Sequence, residues 1–187
     1  MNTLTYENLH EVKKHVSIQF PYNTYLCSIP LDFTQVPLHW HNDVEIIVIK
    51  KGCGIISVDT EPKTVKAGDI ILVRPGQLHS ISQHEKDNME YENILFQTDL
   101  LYSADSDSRT IGYFQPYFSL QYELPWLFSD SCTCHKALAS CINAIDELCS
   151  KRPDYYELSV KGHLFHFFFL LFSSQGAPVT FTRSKSL

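Results

Sequence analysis

With 187 residues, 44% of them hydrophobic and 19% charged, the chain has enough apolar material for one sizeable domain, or a domain with an appendage, and does not fit the disordered class. Its formal charge of −6, from 15 Lys and Arg against 21 Asp and Glu, argues against direct contact with nucleic acid, because neutralising phosphates needs a basic excess. The longest apolar run, Leu164 to Phe172, contains His166 and reaches about half of a membrane span, so no transmembrane segment is expected.

Residues 1–16 have no apolar core resembling a secretion signal. The six cysteines, Cys27, Cys53, Cys132, Cys134, Cys141 and Cys149, are therefore expected to be free thiols of a cytoplasmic protein.

In chain order, residues 1–35 read as a lead-in with one or two strands. From Val36 to Phe96 the texture is β. Val44 to Ile49 is dense in β-branched residues and runs into Lys50-Lys51-Gly52, after which Gly54 to Asp59 reads as its partner strand. Glu61-Pro62-Lys63 has turn chemistry, Thr64-Val65 is a short strand, and Ala67-Gly68-Asp69 is another turn. Ile70 to Val73 follows as a strand closed by Pro75-Gly76, and Tyr91 to Phe96 is one more. Short strands at this spacing point to a sandwich or barrel rather than βαβ units.

Residues 97–131 carry no clear period. They include a polar loop, Ser103 to Ser108, and prolines Pro116 and Pro125 among aromatics. Beyond Cys134, apolar residues recur at helical steps: Leu138, Cys141, Ile142, Ile145, Leu148 and Cys149. Lys151-Arg152 suits the end of that helix and Pro153 stops it. Asp154 and Glu157 look like a capping box opening a second helix from Tyr155 to about Phe172, ended by Gly176 and Pro178. Apolar residues surround this second helix almost completely. A short connection makes the two an antiparallel pair.

The chemistry-bearing residues are His39, His41, Glu45 and His79. In His39-Trp40-His41 the strand period of two puts both imidazoles on one face and Trp40 on the other, where core packing is expected. Glu45 can sit beside them if the strand after Asn42-Asp43 pairs back. His79, just beyond Pro75-Gly76, can add a fourth group from a neighbouring strand end. Three imidazoles and a carboxylate suit Fe, Mn, Ni, Co or Zn, and equally suit hydrogen bonds to a polar ligand or a hydrogen-bonded interior with no ligand role. Arg74 is expected at the rim, a candidate for holding a carboxylate. Cys132-Thr133-Cys134-His135 lacks the second pair that a structural zinc site needs.

His39-x-His41-x-x-x-Glu45, six residues, then Gly52, resembles the first cupin motif. Gly68-Asp69, five residues, Pro75-Gly76-x-x-His79 is similar to the second. The second departs from the metal-cupin pattern in its adjacent Pro75 and Gly76, and in Gln83 where Asn is common. The residues around them, Pro37 to His41, Glu45 to Val48, Gly68 to His79 and Ile94 to Leu101, resemble the N-terminal domain of AraC-type transcription regulators.

That resemblance implies a mainly β fold: a cupin (double-stranded β-helix, or jelly-roll) barrel over 1–130, a helical dimerisation segment over 131–174, and over 175–187 the start of a linker to a helix-turn-helix domain absent from this sequence. It also implies a small effector, a sugar or small acid, in the barrel, contacting His39, His41, Glu45, His79 and Arg74. A divalent metal (Zn, Ni, Fe or Mn) on the same histidines and Glu45 is the open question. A homodimer is implied through Leu138, Ile142, Ile145, Leu148, Phe165 and Phe168, with DNA bound only through the absent domain. Catalysis is not expected, because no second acid or base stands near the four residues. The competing reading is a free-standing metal-dependent cupin enzyme, a dioxygenase or isomerase, which leaves the aromatic helices unexplained.

Overall fold

The computed structural model describes residues 5–176, which form two compact units: 5–97 with 125–132, and 98–124 with 133–176. The first unit is built from eight strands: β1 (Tyr22–Ile29), β2 (Gln35–His39), β3 (Val44–Val58), β4 (Glu61–Lys66), β5 (Ile70–Val73), β6 (His79–Gln83), β7 (Met89–Phe96) and β8 (Leu127–Phe128). All their pairings are antiparallel. One path runs β1-β7-β3-β5-β8 through the first half of β3, and the second half of β3 continues into a path that runs β2-β6-β3-β4. Alternate residues Ile47, Ile49, Ile56, Val58, Ile71, Val73, Ile81 and Tyr91 meet in a fully buried core, as a period of two requires when each strand has one inward face. This is the cupin jelly-roll.

Two details of the β region differ from expectation. Val44–Ile49 and Gly54–Asp59 are not hairpin partners but parts of one 15-residue strand. The register slips between Ile49 and Lys51, and the strand passes from pairing with β5 and β7 to pairing with β4 and β6. Lys50-Lys51-Gly52 has turn composition but acts as a bulge that bends the strand around the barrel corner. The tight turn before β4 lies at Asp59-Thr60, both at positive φ (48° and 67°), the pattern of a two-residue primed hairpin turn. Glu61-Pro62-Lys63 is already strand, and Pro62 is tolerated because β4 pairs only with β3.

The second unit holds α1 (Ser108–Phe118), α2 (His135–Lys151) and α3 (Tyr156–Gln175). Helix α1 falls in the stretch without a readable period. Asp107 caps it, accepting from the backbone N–H groups of Arg109 and Thr110, both at 3.0 Å. Pro116 is accommodated near its end, where few backbone bonds are forfeited.

Leu138, Cys141, Ile142 and Ile145 form the buried stripe of α2. Arg152 closes that helix in the left-handed region ahead of Pro153. The capping box expected at Asp154 and Glu157 does not form. Tyr155, at φ 64°, is the N-cap and no side chain caps the helix, which leaves Asp154 one residue too far out. Gly176, left-handed as expected, ends α3 and donates its N–H to Phe172 O.

Val160, Leu164, Phe167, Phe168 and Leu171 bury one side of α3. Phe114, Tyr117, Phe118, Phe168 and Phe172 interlock around it, mostly edge to face, with Phe114 and Phe168 centroids 5.5 Å apart. Four of the residues expected at a dimer interface, Leu138, Ile142, Ile145 and Phe168, are thus used by this unit's own core. Leu148 is half-buried, and Phe165 is exposed on one side while its ring meets Phe114. No described helix is long and apolar enough to cross a membrane. Of the expected linker start, 177–187 lie outside the described residues.

Candidate functional site

The first unit holds a partly open cavity of about 300 Å3. His39 ends β2, directly opposite His79 at the start of β6. His41 follows β2, and Glu45 is the second residue of β3. Ring centroids of His39 and His79 are 4.1 Å apart, and those of His41 and His79 are 4.9 Å apart. One ring nitrogen from each of the three histidines lies within 4.8 Å of the others.

Glu45 is buried beside them. Its Oε2 is 3.0 Å from His41 Nε2 and 3.0 Å from His79 Nε2. The contact with His41 is a hydrogen bond, whereas His79 Nε2 makes no aligned bond despite the short distance.

The other nitrogen of each ring is fixed by the backbone. Nδ1 of His39, His41 and His79 meets the carbonyls of Pro37 (2.8 Å), Asp43 (3.0 Å) and Gln77 (3.0 Å). A carbonyl only accepts, so each Nδ1 carries the proton and each Nε2 is left to the cluster; His39 and His41 line the cavity, and His79 meets Glu45, which also lines it. Such an outer-shell arrangement is what orients imidazoles on a metal. Two Nε2 lone pairs so close to a carboxylate oxygen need a positive charge among them, either a proton or a cation.

Electrostatics agree. Burial opposes charge on His41, but the hydrogen bond and negative charge of Glu45 outweigh it and raise its pKa above the ordinary imidazole value. Burial likewise opposes ionisation of Glu45, and the hydrogen bond from His41, with the close approach and charge of both His41 and His79, overcomes it, holding the carboxyl far below its usual range. Burial, and then the neighbouring His79, lower His39. The three histidines fit a divalent cation, with Glu45 as counter-charge beside them. The same four groups also fit a hydrogen-bonding organic ligand.

Arg74 does not join them. It is 3% exposed rather than at the rim, its backbone N–H and Nε both donate to Gln77 Oε1, and it does not line the cavity. Trp40 points away from the histidines, as its parity requires, and stacks between Tyr6 (4.6 Å) and His10 (4.1 Å). Cys132, Cys134 and His135 are in neither convergent group of metal-ligating atoms among the described residues.

Other lining residues carry no motif. The segment before β1 pairs with Trp40 through Glu11 N–H to Trp40 O (2.8 Å) and Trp40 N–H to Leu9 O (3.0 Å). This brings Glu11, Lys13 and His15 to the cavity. Strands β1 and β7 add Tyr25, Cys27, Tyr91 and Asn93, where Tyr25 faces Asn93 and Cys27 faces Tyr91 across the ladder. Asn93 Oδ1 and His15 Nδ1 are buried with no hydrogen-bond partner among the described residues. Burial pushes the Cys27 thiol up and keeps the Tyr91 phenol protonated. The period of two in β7 was the one available signal for Tyr91 and Asn93. Nothing local marked Glu11 or His15.

Residues 32–150 match the model of the family described as AraC-like ligand binding domain. An uncharacterized HTH-type transcriptional regulator of Bacillus subtilis, YdeC, is 25% identical over 156 residues, covering 82% of this chain and 52% of that protein. The chain thus spans about half the length of this curated relative. Among solved structures, a cupin protein of Bacteroides fragilis is similar at 24% identity and a TM-score of 0.40, over 46% of this chain and 77% of that one. A predicted oxalate decarboxylase of Thermotoga maritima is similar at 25% identity and a TM-score of 0.36, over 40% and 64%.

Proposed function

The chain belongs to the family of AraC-like ligand binding domains, and from that membership we propose that its barrel is the effector-sensing part of a cytoplasmic transcription regulator. The observation that carries this reading is the partly open cavity that combines apolar walls with charged and polar side chains and holds unpaired buried acceptors. Asn93 Oδ1 and His15 Nδ1, on residues that line it, have no hydrogen-bond partner among the described residues. Buried polar atoms without partners are costly, and a ligand bearing several hydroxyl groups would donate to these acceptors, while Lys13 in the same lining would donate to a carboxylate. The effector class is therefore a sugar or a small acid, in contact with His39, His41, Glu45 and His79. Arg74 drops out of that set because Gln77 already engages it away from the cavity. DNA contact would belong to a helix-turn-helix region of the full regulator, and the acidic balance of this chain suits a domain that leaves DNA alone.

A panel of sugars and small acids, screened by thermal shift and followed by calorimetry, tests the reading. At least one should raise the melting temperature, as any ligand of the native state must, and Asn93→Ala should weaken its binding by about tenfold, the loss of one well-made hydrogen bond. A panel without a single stabilising compound counts against a sensor.

The convergent histidines favour one second reading, a metal-dependent barrel. His39, His41 and His79 would hold the ion, which would supply a Lewis acid to a bound oxygen ligand. Elemental analysis of protein purified without chelator or nickel resin separates the two. Near-stoichiometric Fe or Mn favours an enzyme, and absence of metal leaves an organic-effector pocket.

We also assign homodimerisation to α3, with the contact face shifted from the sequence expectation. Leu158 and Phe169 are 69% and 60% exposed and share a side of α3 with Phe165. A second copy of the chain would cover them. Phe169→Glu should convert a dimer to monomer in analytical ultracentrifugation without lowering the melting temperature of the monomer, because that ring is outside the unit's own core.

A further inference from the structure

We propose that Cys53, His84 and Asp87 form a binding site for a zinc-class divalent cation, distinct from the barrel cavity, none of whose lining they share. Cys53 lies on β3 just past its bend, and His84 and Asp87 belong to the turn between β6 and β7. One contact ties that turn to the strand, Cys53 N–H to Asn88 O (3.2 Å), and two shape the turn itself, Asp87 N–H to His84 O (2.8 Å) and Gln83 Nε2 to Asp87 O (3.1 Å). The close approach depends on Gly52, whose α-carbon faces Asn88 O so nearly that a Cβ would lie 1.8 Å from it.

The three donor atoms already surround one point. Cys53 Sγ is 3.0 Å from Asp87 Oδ2 and 4.0 Å from His84 Nδ1, which is itself 3.0 Å from Asp87 Oδ2. A tetrahedral zinc with bonds of about 2.3 Å to sulfur and about 2.0–2.1 Å to nitrogen and oxygen holds its ligands about 3.5 Å apart. Each atom is within about half an ångström of that spacing. A thiolate and a carboxylate neutralise a dication, and the sulfur–nitrogen–oxygen set selects zinc, cobalt or nickel over magnesium or calcium. Side chains of His84 and Asp87 are 33% and 52% exposed, which leaves a fourth position for water. On binding, the Cys53 S–H bond breaks, a sulfur–metal bond forms, and the proton leaves to solvent.

Cobalt(II) is the probe, because its thiolate charge-transfer absorption requires sulfur and the three barrel histidines offer none. Titration of the chain should produce that absorption, saturating at about one equivalent and bleached by zinc. The absorption should vanish in Cys53→Ser and persist in the His39→Gln, His41→Gln double variant. His84→Asn and Asp87→Asn should each weaken cobalt binding by at least about tenfold. The unsubstituted chain provides a readout independent of variant folding: zinc should protect Cys53 from alkylation, read by mass spectrometry. No charge-transfer absorption, its survival in Cys53→Ser, undiminished affinity in both the His84 and Asp87 variants, or unprotected Cys53 would each overturn the site.

Discussion

Replacing Glu45 with Ala should lower the unfolding free energy of metal-free protein by about 3–5 kcal/mol, the usual cost of removing one partner from a buried ion pair. Glu45 Oε2 is 3.0 Å from Nε2 of both His41 and His79, and all three residues are almost fully buried. Without the carboxylate, the burial that opposes charge on His41 is countered only by the smaller effects of Asp43 and Glu11, and the two Nε2 atoms lose their shared neighbour. Chemical denaturation of chelator-treated wild type and variant measures the difference. A loss below about 1 kcal/mol, the range of exposed pairs, would sink this account.

The pH dependence of that difference has a defined sign. The folded-state pKa of Glu45 is depressed from 4.5, so its stabilisation is present above about that pH and is lost as pH falls towards the folded value. The folded-state pKa of His41 is raised from 6.5, so its stabilisation is complete below that pH and is lost as pH rises through the folded value. Both describe one interaction seen from its two ends. The deficit of Glu45→Ala should therefore be largest between these two ordinary values, and should shrink at more acid and more alkaline pH.

Gly52→Ala should be nearly as damaging, at about 4 kcal/mol, summing a left-handed backbone with an overpacked contact. For a chain of this size that is a fall of about 10 °C in melting temperature. Gly52 has φ 73°, and an added Cβ would meet Asn88 O at 1.8 Å. That atom is backbone, so no side-chain rotation relieves the contact. Gly68→Ala is the matched control: φ is 94° but nothing lies within 4 Å, so only backbone strain of about 1–2 kcal/mol remains. Equal losses at the two positions would show that the contact with Asn88 contributes nothing.

The sequence by itself determined the features that depend on near neighbours. The short strands, the turns at Gly68 and Gly76, the common face of His39 and His41, and the buried stripe of α2 all follow from periods of two or 3.6 and from local turn chemistry. The spaced residues of the two cupin motifs likewise marked the family, because their order along the chain survives without knowing which strand meets which.

Tertiary structure alone decided what depends on long-range pairing. Lys50-Lys51-Gly52 has the composition of a hairpin turn. Whether it reverses the chain or bends one continuous strand depends on β5 and β7 pairing before the bend and β4 and β6 after it. Glu11 and His15 reach the cavity only because residues 9–11 pair beside Trp40, and Arg74 is buried because Gln77 folds back onto it.

Helix α3 poses the same problem in another form. Apolar residues encircle it, so periodicity could not separate the side buried by Phe114, Tyr117 and Phe118 from the side that leaves Leu158 and Phe169 exposed. A hydrophobic pattern specifies a face only when polar residues mark the other, and there the choice fell to the residues that pack against it.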